Sequence, residues 1–404
     1  MSNSELKNVA VIGLGPAAIT TAKALAASLP ADYRVVAISD VDYTYYHIAG
    51  LRALVQPGFE DKIIGPLNNV FPQGSRHIVK AGSKVTKLEA HSLTLANGEQ
   101  IPFAYAVIAT GSIYAFPNRA PSDWSAEQLK SGLRKLRGQV NAASEILVIG
   151  GGATGVEFAG EVKGQHEDKK KVTLVHPSKT LFSNGYKEKL GKKSAILAWC
   201  GPYSLEPLEL IFFLGRLPCS LTKSLSALHV KVVGNTRIDV ADLKTGPSSG
   251  RTFTLGDGST ITPDFVFIGF GSTPNSELVQ AFDAQLVNDK GFVKVKPSLQ
   301  FAASTAELDH IYAIGDVTDV KETKQAVTAK AQAPIAAANI LASIKGLKTL
   351  KPYKPAADMI VVTVGPKRGA GQLFGFVIGD FLASKIKSGS LFLGMWQKDY
   401  GIKA

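Results

Sequence analysis

Two stretches of this chain repeat one arrangement: a short apolar run, a glycine fingerprint, a helix-compatible segment and a second apolar run. The first begins Asn8-Val-Ala-Val-Ile12, passes through Gly13-Leu-Gly15-Pro16-Ala17-Ala18 and continues into ITTAKALAASL. The second begins Glu145-Ile-Leu-Val-Ile149, passes through Gly150-Gly-Gly152-Ala-Thr-Gly155 and continues as Val156-Glu157-Phe158-Ala159-Gly160-Glu161. Short runs without polar alternation predict buried parallel strands. The first glycine of each fingerprint makes the tight turn, and the second lets backbone approach a pyrophosphate. A small third residue, Ala18 or Gly155, lets helix and strand pack closely. Free amides and the positive end of the helix dipole then face the phosphates. One fingerprint could be a purely structural turn. Two, each in register with strand, helix and strand, predict a chain that binds two dinucleotides.

The strands that follow differ at their ends. Tyr33-Arg-Val-Val-Ala-Ile-Ser39-Asp40 delivers an acid about 20 residues past its fingerprint, the spacing of a carboxylate that holds ribose hydroxyls. Asp40 is the expected ligand and Ser39 the alternative. Lys171-Val-Thr-Leu-Val-His176 ends in histidine instead. A carboxylate there would repel a 2′-phosphate, so its absence, with Lys179 nearby, admits NADPH as well as NADH. Glu157 lies early in the second helix. It can favour the helix dipole by about 0.3–1 kcal/mol, hold the nicotinamide ribose or amide, or do both. Three further strand–turn segments end in Thr110-Gly111, in Gly269-Phe-Gly271 and in Gly315-Asp316. The last can place its carboxylate on a ribityl hydroxyl, with a helix start near Lys324 to Ala326 facing the flavin pyrimidine. The early position of the first fingerprint favours FAD there.

Four motifs carry a family likeness: Gly-Gly-Gly-Ala-Thr-Gly-Val-Glu157, Tyr-Ala-Ile-Gly-Asp316, Ala-Gly-Leu-Arg52-Ala and Tyr353-Lys354-Pro355. Together they resemble the pyridine-nucleotide-disulfide oxidoreductase superfamily. Within it the chain is similar to the apoptosis-inducing-factor-like, ferroptosis-suppressor branch of FAD-dependent NAD(P)H:quinone oxidoreductases, with type II NADH dehydrogenases more distant. The resemblance implies an α/β fold of two Rossmann-like domains with a small α+β C-terminal module. Residues 1–115 and 275–345 would bind FAD, 116–274 would bind NADH or NADPH, and 346–404 would form the module. It also implies that Arg52 and the backbone of Val85 contact FAD, that Asp316 holds its ribityl chain, and that Glu157 serves NAD(P)H. Lys354 would lie near flavin and quinone. The implied activity passes hydride from NAD(P)H to flavin and then electrons to a ubiquinone- or vitamin K-like quinone. The rival expectations are a reductase of another small acceptor, and a slow-turnover NADH-binding signalling or pro-death factor acting through DNA or protein contacts.

Composition narrows the class. With 404 residues, 45% hydrophobic and 19% charged, the chain is expected to form two or three globular domains. Its two cysteines, Cys200 and Cys219, form no CxxC pair, so neither a redox dithiol nor a metal site is expected. No apolar run reaches the roughly 18 residues of a membrane span. The opening MSNSELKN leads straight into a strand, with Ser2 where a myristoylated glycine would stand. A cytoplasmic protein is expected, one that can touch a membrane or lipid droplet peripherally. The net charge of +12 suits anionic partners, but its scatter reads as a solvated surface, and nucleic acid is not an expected partner.

Two segments stand apart. Residues 194–220, SAILAWCGPYSLEPLELIFFLGRLPCS, hold both cysteines, three prolines and only three charges. Their removal would align Leu190, Leu221, Leu225 and Leu228 on one helical face. That pattern predicts a translated intron or recent insertion, able to spare FAD binding and abolish turnover; a surface excursion is the alternative. Towards the C-terminus, Asp358 to Val364 predicts a strand and Gly365 to Gly371 a turn. Phe374, Val377, Ile378, Phe381, Leu382 and Ile386 recur at helical spacing. That helix would pack on its own core, or line a quinone tunnel or rest on a membrane with Lys385 and Lys387 at its rim.

Overall fold

The first apolar run lies at the centre of a five-stranded sheet. The order is Ile311–Ala313, Tyr105–Ile108, Lys7–Ile12, Tyr33–Ile38 and Ile78–Lys80, with every pair parallel. Successive side chains of a strand point to opposite faces. Val9 and Val11 therefore join the core beneath helix Pro16–Ala26, whereas Ala10 and Ile12 join a second core with Leu93, Phe103 and Phe301. Burial on both faces explains the unbroken apolar run. The computed structural model describes residues 6–182, 217–248, 250–355, 359–374 and 376–402.

The second run builds a sheet of the same kind. Val230–Val233, Lys171–Val175, Glu145–Ile149 and Phe265–Ile268 are parallel neighbours, and Gly246–Pro247 adds an antiparallel edge. Phe158, on helix Ala153–His166, stacks on Phe267 with centroids 3.9 Å apart. The two chain segments that cross between the sheets, Ser112–Ile113 and Thr273–Pro274, pair antiparallel with each other.

The C-terminal residues depart from expectation. Ile360–Val364, Arg368–Leu373 and Phe376–Ile378 form an antiparallel meander. The expected glycine turn is confined to residues 365–367, and Gly369 and Gly371 lie within a strand. Helix begins only at Asp380, runs through Ala383, continues as a π-helix over Ser384–Ser388 and returns as Leu393–Tyr400. The apolar residues between Phe374 and Ile386 fit a helix or a hairpin by spacing alone, and sheet pairing decided between them. Most of the atypical 194–220 stretch lies outside the described residues. Its last four residues open helix Leu217–Ser226, where Leu217, Leu221 and Leu225 are buried. Leu217 thus occupies the position expected of Leu190.

Helix Ala126–Ala142 shows how sequence sets local structure. Ser125 and Gln128 close a capping box, and Leu129, Leu133, Leu136 and Val140 are buried along one stripe. Its outer turns present Arg134 and Arg137 to Glu60, which is 2% exposed. Arg134 Nε lies 2.8 Å from Oε1 and Arg137 Nη1 lies 2.6 Å from Oε2. Burial alone would raise the Glu60 carboxyl, but the bonds from Arg137 and Arg134 outweigh it and bring it down to about 2. A carboxyl lowered on folding contributes stability above its unfolded pKa and loses it as pH falls towards the folded one. Glu60→Gln should cost on the order of 3 kcal/mol at pH 7 in denaturant unfolding. The wild-type advantage should shrink between about pH 4.5 and pH 2.

Candidate active site

A cavity of about 590 Å³ opens at the carboxyl ends of the first sheet, within the roughly 300–1,000 Å³ range of cofactor sites. Of the residues singled out in the sequence, it is lined by Gly13, Gly15, Pro16, Ala17, Asp40, Val85, Thr110, Gly111, Gly315 and Asp316. Ala18 points into the core at 0% exposure, as its packing role requires. Gly13 has φ +93, and a Cβ there would meet the Ala109 carbonyl oxygen at 2.5 Å. A Cβ on Gly15 would meet no atom within 4 Å, so that glycine faces open space where a pyrophosphate fits. Ser39 and Asp40 both line the cavity: Ser39 is buried and its Oγ accepts the Val41 amide at 3.3 Å, whereas Asp40 is exposed. Asp316 is raised from the usual carboxylate range by burial, which the nearby Lys324 opposes. Gln332 Oε1 accepts the Gly315 amide at 2.8 Å and fixes that turn.

Aromatic residues missed in the sequence reading make the other wall. Tyr43, Tyr46, His47, Trp396 and Tyr400 all border the cavity. The run Tyr43-Thr-Tyr45-Tyr46-His47, just past Asp40, was the available signal. Tyr46 stacks on Trp396 at 5.3 Å and donates its hydroxyl hydrogen to the Leu391 carbonyl at 2.8 Å. Tyr400 donates to the carbonyl of Leu14, inside the first fingerprint, at 2.6 Å. The buried Tyr43 hydroxyl has no hydrogen-bond partner within the described chain. A buried polar atom left so at a cavity wall fits a ligand partner.

The second fingerprint repeats the backbone logic. Gly150 has φ +128, a Cβ on Gly155 would collide with the Gly150 carbonyl oxygen, and Gly152 faces open space. Of the three remaining functional candidates, two have protein partners. Glu157, 8% exposed, accepts Lys387 Nζ at 2.7 Å and the Thr363 amide at 3.2 Å, both from the C-terminal module. Arg52 does not line the cavity. It pairs with Glu161 at 2.7 Å and donates to the carbonyls of Ser388 and Gly389. Lys354 is exposed, and its neighbour Tyr353 bonds inward to Glu322 at 2.7 Å.

These spaces set a paired expectation. Gly13→Ala should yield protein that folds poorly, because the methyl group meets backbone. Gly15→Ala should keep its melting temperature within a few degrees yet retain less than a tenth of the bound dinucleotide, read from visible absorbance after dialysis. Full retention in a well-folded Gly15→Ala protein would remove the pyrophosphate from that turn.

The profile of the pyridine nucleotide-disulphide oxidoreductase family matches residues 7–195 and 219–333, passing over 196–218. The FAD-dependent oxidoreductase FVFD30 of Flammulina velutipes is 30% identical over 341 residues, spanning 83% of this chain and 94% of its own. The human ferroptosis suppressor protein 1 is 28% identical over 388 residues, spanning 96% and 94%. The crystal structure of the Aquifex aeolicus sulfide:quinone oxidoreductase superposes with a TM-score of 0.70 at 18% identity, spanning 98% of this chain and 92% of that one. The chain belongs to the pyridine nucleotide-disulphide oxidoreductase family, as an FAD-dependent oxidoreductase that takes NAD(P)H as co-substrate.

Proposed function

We propose that this enzyme oxidises NAD(P)H and delivers the electrons to a quinone. The observation that carries the reading is the aromatic wall of Tyr46, Trp396 and Tyr400, the last two supplied by the C-terminal module. An organic acceptor with a flat ring suits such a wall. The two cysteines, Cys200 and Cys219, form no CxxC pair, and in this reading the electrons pass without a protein dithiol. Phe374 (77% exposed) and Phe381 (73% exposed) on the same module offer an apolar approach for a lipid-soluble acceptor. The sulfide:quinone oxidoreductase, which shares the fold, carries that acceptor class in its name.

Bound FAD supplies the chemistry, accepting two electrons from the coenzyme and passing them on. The chain positions the reactants. In this reading residues 1–115 with 275–345 hold the flavin, 116–274 hold the coenzyme and 346–404 cover both. Asp40 takes ribose hydroxyls and Asp316 the ribityl chain. Glu157, already oriented by Lys387 and the Thr363 amide, presents its carboxylate on the coenzyme side. No helix among the described residues is long and apolar enough to cross a membrane.

Anaerobic spectroscopy of the purified protein tests the proposal. NAD(P)H should bleach the flavin, and a short-chain ubiquinone should restore it within seconds. Bleaching followed by reoxidation only with a ferredoxin or oxygen would replace the acceptor. A flavin that resists both coenzymes would defeat the reading.

A further inference from the structure

The second dinucleotide site carries a charge pattern opposite to the first. At the first, the strand Tyr33–Ile38 leads to Asp40, whose carboxylate stands at the cavity. At the second, the strand Lys171–Val175 leads to His176, which is 4% exposed. The His176 ring packs so closely that a Cβ on Gly151 would meet it at 2.8 Å. The strand end that normally faces the adenosine ribose therefore touches the fingerprint turn and bears no acid. Burial lowers the His176 pKa, which keeps the ring neutral.

Beyond His176 two loops are joined. The Asn235 amide donates to the Ser178 carbonyl at 3.0 Å, and the Thr236 amide donates to the His176 carbonyl at 2.9 Å. They follow the neighbouring parallel strands Lys171–Val175 and Val230–Val233. Close to these joined backbones each loop presents an exposed cation, Lys179 in the first and Arg237 in the second. Neither forms an ion pair among the described residues. No Asp or Glu occurs in 171–182 or in 229–238, and the nearest acid of the second loop is the exposed Asp239. In a Rossmann unit the 2′-position of adenosine lies at this strand end, where an acid selects the hydroxyl and a basic residue accepts a phosphate.

We propose that this site is built for a 2′-phosphorylated coenzyme. Lys179 and Arg237 grip the phosphate from two hydrogen-bonded loops, and NADPH is the preferred donor. Arg237 supplies planar paired donors and Lys179 a compact charge, a combination suited to a dianion at an exposed edge. The inference rests on reading the second fingerprint as the coenzyme site, and it adds the coenzyme's identity.

Two measurements on the full-length flavoprotein test it. Calorimetry should show adenosine 2′,5′-bisphosphate binding at least about tenfold tighter than 5′-AMP. That difference should shrink as salt rises, since the grip is on the surface. In stopped-flow flavin reduction, kcat/KM should be higher with NADPH than with NADH. The Lys179→Ala/Arg237→Ala double variant should lower the NADPH-to-NADH ratio by about tenfold or more. Equal binding of the two nucleotides, or a ratio unmoved in a folded variant, overturns the proposal. Tight bisphosphate binding without flavin reduction by either coenzyme would keep this site and sink the proposed turnover instead.

Discussion

The ion pair between Arg52 and Glu161 holds three parts of the molecule in one geometry. Both side chains are buried, at 6% and 4% exposure, and the guanidinium spends its remaining donors on the Ser388 and Gly389 carbonyls. Arg52 follows the first sheet's second strand, Glu161 lies on the second fingerprint helix, and the carbonyls belong to the C-terminal module. A buried pair of this kind adds little over well-packed apolar residues, but losing one partner leaves an uncompensated charge costing about 3–5 kcal/mol. Its value is therefore positional. Burial raises the Glu161 carboxyl and Arg52 opposes that shift, so each group is tolerable only while the other is present. The second contact, Lys387 with Glu157, lies one helical turn away on the same helix.

This seam depends on missing side chains. A Cβ on Gly160 would meet Val364 Cα at 2.5 Å, and one on Gly164 would meet Pro366 Cδ at 2.9 Å. Helix and strand thus meet at backbone distance, which brings the Thr363 amide to Glu157. The second fingerprint helix has two uses for glycine: Gly152 at its start faces open space, and Gly160 and Gly164 receive the module.

Both sheets and both fingerprint turns were legible in the sequence, because a buried parallel strand and a glycine turn are local patterns. The spacing pointed to Asp40 with Ser39 as the alternative, and the fold brings both to the cavity. Long-range pairing was not legible. The Arg52 position came from a motif, but nothing near it in the chain announces Glu161, and Glu157 gives no sign of Lys387. Val377 and Ile378 were misread as helical because alternation and helical spacing coincide over so few residues, whereas Phe381, Leu382 and Ile386 are helical as expected. The aromatic wall escaped notice for a different reason. Tyr46 and Trp396 look like ordinary core residues until the fold places them on one cavity.

The bond from Tyr400 to Leu14 spans 386 positions of sequence. At a ribosomal rate of about 5–20 residues per second, the fingerprint turn waits roughly 20–80 s before its last wall exists. The first sheet gains its last strand, Ile311–Ala313, late in that interval, and its nucleotide cleft then stands with one side open until Tyr400 is made. Cofactor can enter while the cleft is accessible, and is enclosed only when the final helix arrives. Order of synthesis thus doubles as an order of assembly, with the end of the chain closing what its beginning opened.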